Sequence, residues 1–178
     1  MQWKGGSLSD TATITSGDLS DAGSVAGLMA DDVLTYDSLL KCLLIASGGD
    51  AANCIARTLG GDGAGTGGWA GFVSALNGLA ATLGMADTTF INPHGGAAAQ
   101  DNTATARDVV RLATAAFADA TILAVAGTAT DSVSVAGPNA RTLGLTHTAA
   151  PIEHGDAGYL AAKAGSRMVS GQVGYHLA

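Results

Sequence analysis

The 178-residue chain is poor in charge. Only 13% of its residues are Asp, Glu, Lys or Arg, about half the roughly 25% usual for a soluble domain. Basic residues are scarcest: eight Lys and Arg leave a net charge of −7. A nucleic-acid partner is therefore excluded, because phosphate binding needs a basic face. No apolar run approaches the ~20 residues of a membrane helix. The start, MQWKGGSLSD, has no apolar core of a signal peptide. Cysteine is nearly absent. Cys42 and Cys54 lie in consecutive apolar helical patterns and are expected as buried free thiols. The four histidines, His94, His147, His154 and His176, show no ligand spacing, so no metal or other cofactor is expected.

What is abundant is apolar residues, 47%, and glycine, 26 residues. The length suits one domain, residues 1–178. TATIT at 11–15 alternates and is β-branched, which predicts a strand. Residues 16–34 read as loop. Helices are predicted from Thr35 or Asp37 to about Ala46, from Asp50 as a cap to Leu59, over 68–83, and from Thr103 to Phe117. After about residue 127 the pattern changes. DSVSVAGPNARTLGLTHT predicts a hairpin, and GYLAAKAG and GQVGYHLA predict two more strands. Helices followed by strands make an α+β fold.

Several candidate sites have plain structural readings. Gly63, Gly65 and Gly68 have G-x-G-x-x-G spacing, but they follow a helix, so they read as a connector rather than a phosphate loop. Arg107 and Asp108, near a helix start, read as an ion pair or cap. His94 in NPHGG reads as a turn residue. Asp31-Asp32 lies in a loop without an EF-hand pattern.

The stretch LLIASGGDAANCIA at 43–56 asks more: a serine, two glycines and an aspartate interrupt two apolar helices. LTYDSLLKCLLIASGGDAANCIA resembles the D-alanyl-D-alanine carboxypeptidases, the low-molecular-mass penicillin-binding proteins. There a helix runs into Ser-x-Asn followed by Asp-Ala-Ala. The likeness continues through GFVSALNGLAATLGMADTTFINPHG, TATARDVVRLATAAF and GYLAAKAGSRMVSGQVGYHLA, the last resembling the Lys-Thr-Gly strand and its hairpin partner. LSDTATITSGDL is similar to the segment before the Ser-x-Asn helix.

The resemblance implies a penicillin-binding or serine β-lactamase-like fold, here incomplete. It also implies a serine hydrolase acting on peptide, ester or β-lactam carbonyls, with a peptidoglycan stem peptide as partner and the cell envelope or exterior as its place. Ser47 matches the family's relay serine, Lys163 the strand lysine and Gly165 the glycine that lets substrate approach. Gly49 stands for the amide-orienting Asn, and Ala164 for the Thr that contacts the substrate carboxylate. Ser166 completes the substrate-facing strand.

The family's nucleophile lies in Ser-x-x-Lys, upstream of the segment that LSDTATIT resembles. The chain is thus expected to begin after that helix and to stop within a strand, exposing sheet edges that would favour self-association. The one literal Ser-x-x-Lys, Ser38-Leu39-Leu40-Lys41, places both side chains one turn apart, but in the helix leading to Ser47. It reads as a helix-start serine and a solvated lysine, largely exposed and far from Lys163. Three functions follow: a weak or rewired hydrolase using Ser47 and Lys163, a non-catalytic module binding peptidoglycan peptides, or a folded fragment without activity of its own.

Overall fold

A computed structural model describes residues 7–19, 23–60, 68–95, 102–168 and 172–177. The architecture is α+β, as the pattern predicts. A short strand β1 (Thr11–Thr13) pairs antiparallel with β2 (Val33–Thr35). Helix α1 (Tyr36–Leu44) leads to α2 (Gly49–Leu59) and α3 (Gly68–Thr82). Helices α4 (Ala106–Phe117) and α5 (Ala120–Ala126) follow. The hairpin β3 (Thr130–Val135) and β4 (Arg141–Thr146), a single turn α6 (Ala150–Glu153), and the hairpin β5 (Lys163–Met168) and β6 (Gln172–Leu177) complete the order. Each strand pair is its own two-stranded sheet, and a bridge between Val33 and Ala136 ties the first to the second.

Local chemistry explains most boundaries. Thr35 starts α1 by accepting the Ser38 N–H, and Leu39, Cys42 and Ile45 share its buried face. They pack with Ile14, Leu34, Cys54, Val133 and Leu145 into one core under both early sheets. Burying each aliphatic side chain contributes about 1.5–3 kcal/mol. Helices α2 and α3 meet through glycine: a Cβ on Gly71 would strike the Gly60 carbonyl, and one on Gly60 the Gly68 carbonyl. Both cysteines are free and buried; burial above all pushes each thiol up to about 12.

Several elements differ from expectation. Residues 16–34 hold a 3-10 turn, Ser16–Leu19, and β2 rather than only loop. Helix α1 stops at Leu44, short of Ala46. Thr103 does not open α4; it bridges Thr89, and Thr105 caps the helix by accepting the Asp108 N–H. Asp108 pairs with Arg111 rather than Arg107, and also accepts from the Asp87 amide and the Thr88 hydroxyl. Helices α5 and α6 were not anticipated. Residues 61–67, with Gly63 and Gly65, lie outside the described residues.

Buried aspartates staple loops to distant elements. Asp18 takes a two-pronged contact from Arg57 on α2, and Asp32 takes one from Arg141 on β4. Burial opposes ionisation of Asp18 and Asp32, but the guanidinium and amide donors outweigh it and lower both carboxyls below the ordinary 3.8. A lowered folded-state pKa means that the unfolded chain binds protons first on acidification. The stabilisation is complete above the unfolded value and is lost as pH falls through the folded one. The part of the urea midpoint that these two aspartates supply is therefore expected to hold level from pH 7 to about 5 and to fall steeply below about 4. Arg57→Met and Arg141→Met should each lower the plateau and flatten that fall. A midpoint independent of pH down to about 2 would contradict the assignment.

Candidate active site

The turn between α1 and α2 is built to hold a serine in an unfavourable backbone shape. Ser47 has φ +55°, a left-handed conformation that costs a non-glycine residue on the order of 1 kcal/mol. Two backbone hydrogen bonds fix it. The Gly48 N–H bonds the Cys42 carbonyl at 3.0 Å, and the Gly49 N–H bonds the Ser24 carbonyl at 2.8 Å. Gly48 is itself crowded: an added Cβ would lie 2.7 Å from Asp50 Oδ1 and 2.9 Å from the Ala26 Cβ.

Asp50 is not the helix cap that its position suggests. The cap is Gly48, without a side-chain bond. The fully buried Asp50 carboxylate instead accepts the backbone N–H groups of Ala26, Gly27 and Leu28, at 3.0–3.1 Å, and that of Ala51 at 2.9 Å. One carboxylate thus clamps the 26–28 loop onto the start of α2 and closes the turn that carries Ser47.

The opposite wall is the start of β5. Lys163 Nζ donates to Ser47 Oγ at 2.5 Å and to the Ala164 carbonyl at 2.6 Å. Lys163 and Ser47 are 116 positions apart in the chain. Burial lowers the Lys163 pKa below the ordinary 10.5. A lysine so placed gives up its proton more readily than a surface lysine does and can then serve as a base.

The other predicted site residues fall as follows. Gly49 is buried in the first turn of α2 with its N–H already engaged by Ser24. Ala164 faces His176 across the hairpin, Gly165 faces Tyr175 and Ser166 faces Gly174 in the strand register. No other strand among the described residues pairs with β5. Ser38 and Lys41 are not brought together. Ser38 Oγ bonds Thr35 Oγ1, while Lys41 reaches Asp131 on β3 at 3.1 Å and Asp37 at 3.5 Å. The Asp131 hydrogen bond leads in raising the Lys41 pKa, the reverse of what a base needs. Both residues are half-buried rather than largely exposed, because α1 lies against β3.

His94 sits in a turn in which Asn92 Oδ1 accepts the His94 and Gly95 N–H groups, and its ring packs near Trp69. A separate cavity of ≈ 170 Å³ lies in the helical region between Leu76, Leu79, Met85 and Phe90, sharing no residue with the Ser47–Lys163 pair. No cluster among the described residues could hold a metal ion. No single described helix is long and apolar enough to cross a membrane.

His147 has no ligand spacing to mark it. It is buried beside this site, and its signal, a lone histidine at the end of an alternating strand, is one that core histidines share.

The family profile of D-alanyl-D-alanine carboxypeptidase matches residues 6–171. None of the curated proteins is a significant match. Among solved structures, a point mutant of the Streptomyces K15 DD-transpeptidase superposes with a TM-score of 0.82 at 21% identity, over 97% of this chain and 73% of its own. The D-alanyl-D-alanine carboxypeptidase of Mycobacterium tuberculosis H37Rv gives 0.76 at 22% identity, over 98% and 68%. A penicillin-binding protein homolog from Mycobacterium tuberculosis gives 0.77 at 22%, over 94% and 64%. At such identities these likenesses carry the fold, and the profile carries the family. With helices leading into a serine turn and a lysine strand facing it, the chain belongs to the D-alanyl-D-alanine carboxypeptidase family, the serine-type hydrolases of the penicillin-binding fold.

Proposed function

We propose that this chain transfers acyl groups through Ser47, with Lys163 as its base, acting weakly on D-Ala-D-Ala peptides and better on activated esters and strained lactams. The 2.5 Å contact between Lys163 Nζ and Ser47 Oγ carries this reading. In the neutral amine the same contact reverses, the hydroxyl donating to the nitrogen lone pair. Ser47 Oγ then attacks the carbonyl carbon as its proton passes to Lys163. Collapse of the tetrahedral intermediate breaks the bond to the leaving oxygen or nitrogen, which takes the proton back. Water, deprotonated by Lys163, hydrolyses the acyl-serine and restores both groups.

The weakness on peptides follows from two missing groups. Gly49 has no side chain to orient an amide, and Ala164 has no hydroxyl for a terminal carboxylate. Poorly held substrates lose the rate that positioning supplies, and amide leaving groups need more help than nitrophenolate. The edge of β5 away from β6 would take the substrate backbone as an added strand, with Gly165 allowing close approach. The same edge would support self-association. A stem peptide as substrate places the protein in the cell envelope or outside it.

Incubation with an isotopically labelled penicillin, followed by digestion and mass spectrometry, tests this reading. We expect one adduct, on the peptide containing Ser47. An adduct on Ser38 would transfer the chemistry to α1. Binding of a D-Ala-D-Ala peptide with no adduct anywhere would instead mark a non-catalytic peptide-binding module.

A further inference from the structure

The segment joining β4 to α6 contacts the chain close to both members of the serine–lysine pair. The Thr148 N–H bonds the carbonyl of Ile45, two residues before Ser47, at 3.1 Å. The His147 N–H bonds the Ala129 carbonyl at 2.8 Å. Ala149 and Ala162 are fully buried in one small cluster that also takes in Ala164. Behind that cluster, the Ala162 N–H bonds the Ala126 carbonyl at 3.1 Å, and Gly127 lies so close to Leu160 that a Cβ there would strike its carbonyl. The backbone on either side of Lys163 is thus braced against residues 126–129 and 147–149.

His147 is the polar group at the centre of this brace, 1% exposed. Its Nδ1 accepts the Ala149 N–H at 2.9 Å. A ring nitrogen that accepts is unprotonated, so the proton of the neutral ring sits on Nε2. Nε2 has no hydrogen-bond partner of good geometry, although the Ala126 and Ala162 carbonyls lie near the ring.

We propose that His147 is a positioning residue for Lys163: its uncharged imidazole holds the 147–149 turn that spaces β5 from the end of α1. The proposal rests on Ser47 and Lys163 being the reactive pair. Protonation of the imidazole would remove the acceptor from Ala149 and place a second cation beside Lys163 in a buried region. Among the described residues, the charged groups that reach the ring are Lys163 on β5, which opposes its protonation, and Glu153 on α6, which favours it. Burial, acting ahead of these charges, lowers the imidazole pKa below the ordinary 6.5. The turn is therefore intact at neutral pH and opens on acidification. Because the Lys163 charge opposes protonation of the ring, its removal should move the His147 titration.

Two measurements on the full chain test this. The first is a nitrogen-15 NMR titration of the His147 ring, which needs no turnover. We expect a neutral Nε2–H ring at pH 7 and a midpoint that moves upward in Lys163→Met, where the opposing cation is gone. An unchanged midpoint, or the Nδ1–H form at neutral pH, would overturn the proposal.

The second measurement is the pH profile of Ser47 acylation by a nitrophenyl ester. In the wild type the acid limb should steepen from one proton to two below the His147 midpoint. His147→Asn places an amide oxygen where Nδ1 stood; it should keep kcat within about threefold and leave a one-proton limb. His147→Leu, which cannot accept from Ala149, should lower kcat about tenfold or more with little change in KM. Equal losses in both variants, or a two-proton limb surviving in His147→Asn, would sink the idea. Absence of any acylation in the wild type, beside a coupled ring titration, would count against the reactive pair while leaving the coupling of His147 to Lys163 standing.

Discussion

Ser47→Ala should abolish the burst of nitrophenolate and every covalent penicillin adduct, lowering ester turnover by about 10²–10³-fold, to the level that binding alone provides. Lys163→Met should cost a similar factor. The double variant should be no worse than either single one, because a nucleophile without its base and a base without its nucleophile are equally idle. Lys163→Arg separates two roles of the lysine. Arginine keeps the charge but stays protonated at every accessible pH, so it cannot take the Ser47 proton. We expect it to be as inactive as Lys163→Met on esters. Activity surviving in Lys163→Arg would make position 163 a cationic anchor for a carboxylate and leave the base unassigned. The wild-type rate should rise with pH through a midpoint below 10.5, since only the neutral amine reacts and burial favours it. Stopped-flow kinetics on the ester from pH 6 to about 10 reads all of these.

Sequence reasoning reached Ser47 and Lys163 only through the order of segments along the chain. Nothing local marks either one. Ser47 ends an apolar helix as many serines do, and Lys163 is one of few lysines in a weakly charged chain. Their meeting across 116 residues is a property of the fold. The other pair, Ser38 and Lys41, shows how little spacing alone says about a side chain's partners. Spacing puts the two side chains on one helix face, but Asp131 arrives from β3 and holds the lysine as a salt bridge. No pattern within α1 contains that information.

The fold was legible where periodicity and caps agree. Thr35 before an apolar helix and the alternation within DSVSVAGPNARTLGLTHT both lie at or near real boundaries. It was less legible where elements are short. Strand β2 has three residues, too few for an alternating pattern, and its existence depends on β1 offering a partner. Helix α5 did carry a signal that was passed over: Asp119 accepts the Thr121 and Ile122 N–H groups, and Gly127 ends the turn. The buried aspartates were the least legible. A carboxylate's partners can be amides or guanidiniums on any element, and charge composition says nothing about which ones fold over it.

Asp50 is where that gap has the largest consequence for stability. Its carboxylate is wholly buried and receives the amides of Ala26, Gly27, Leu28 and Ala51. Asp50→Ala would strip three loop amides of their only acceptor among the described residues, each buried unpaired group costing about 1–3 kcal/mol. Some amides would turn to water as the loop loosens, so the expected loss is about 3–5 kcal/mol, a large share of the roughly 5–15 kcal/mol typical of a domain. Asp50→Asn keeps one oxygen acceptor but turns an N–H₂ towards the same amides, and should fall between the two. The damage should also reach the site, because the Gly49 N–H and the 24–28 loop hold the left-handed turn at Ser47. In urea unfolding, Asp50→Ala is expected to show a midpoint well below wild type with an unchanged slope. Ester turnover by the folded fraction should fall as well, since the Ser47 hydroxyl is no longer held against Lys163. A variant as stable as wild type would mean that the 26–28 amides find other partners and that the clamp is dispensable. A destabilised variant with full turnover would mean that β5, not the turn, places the serine.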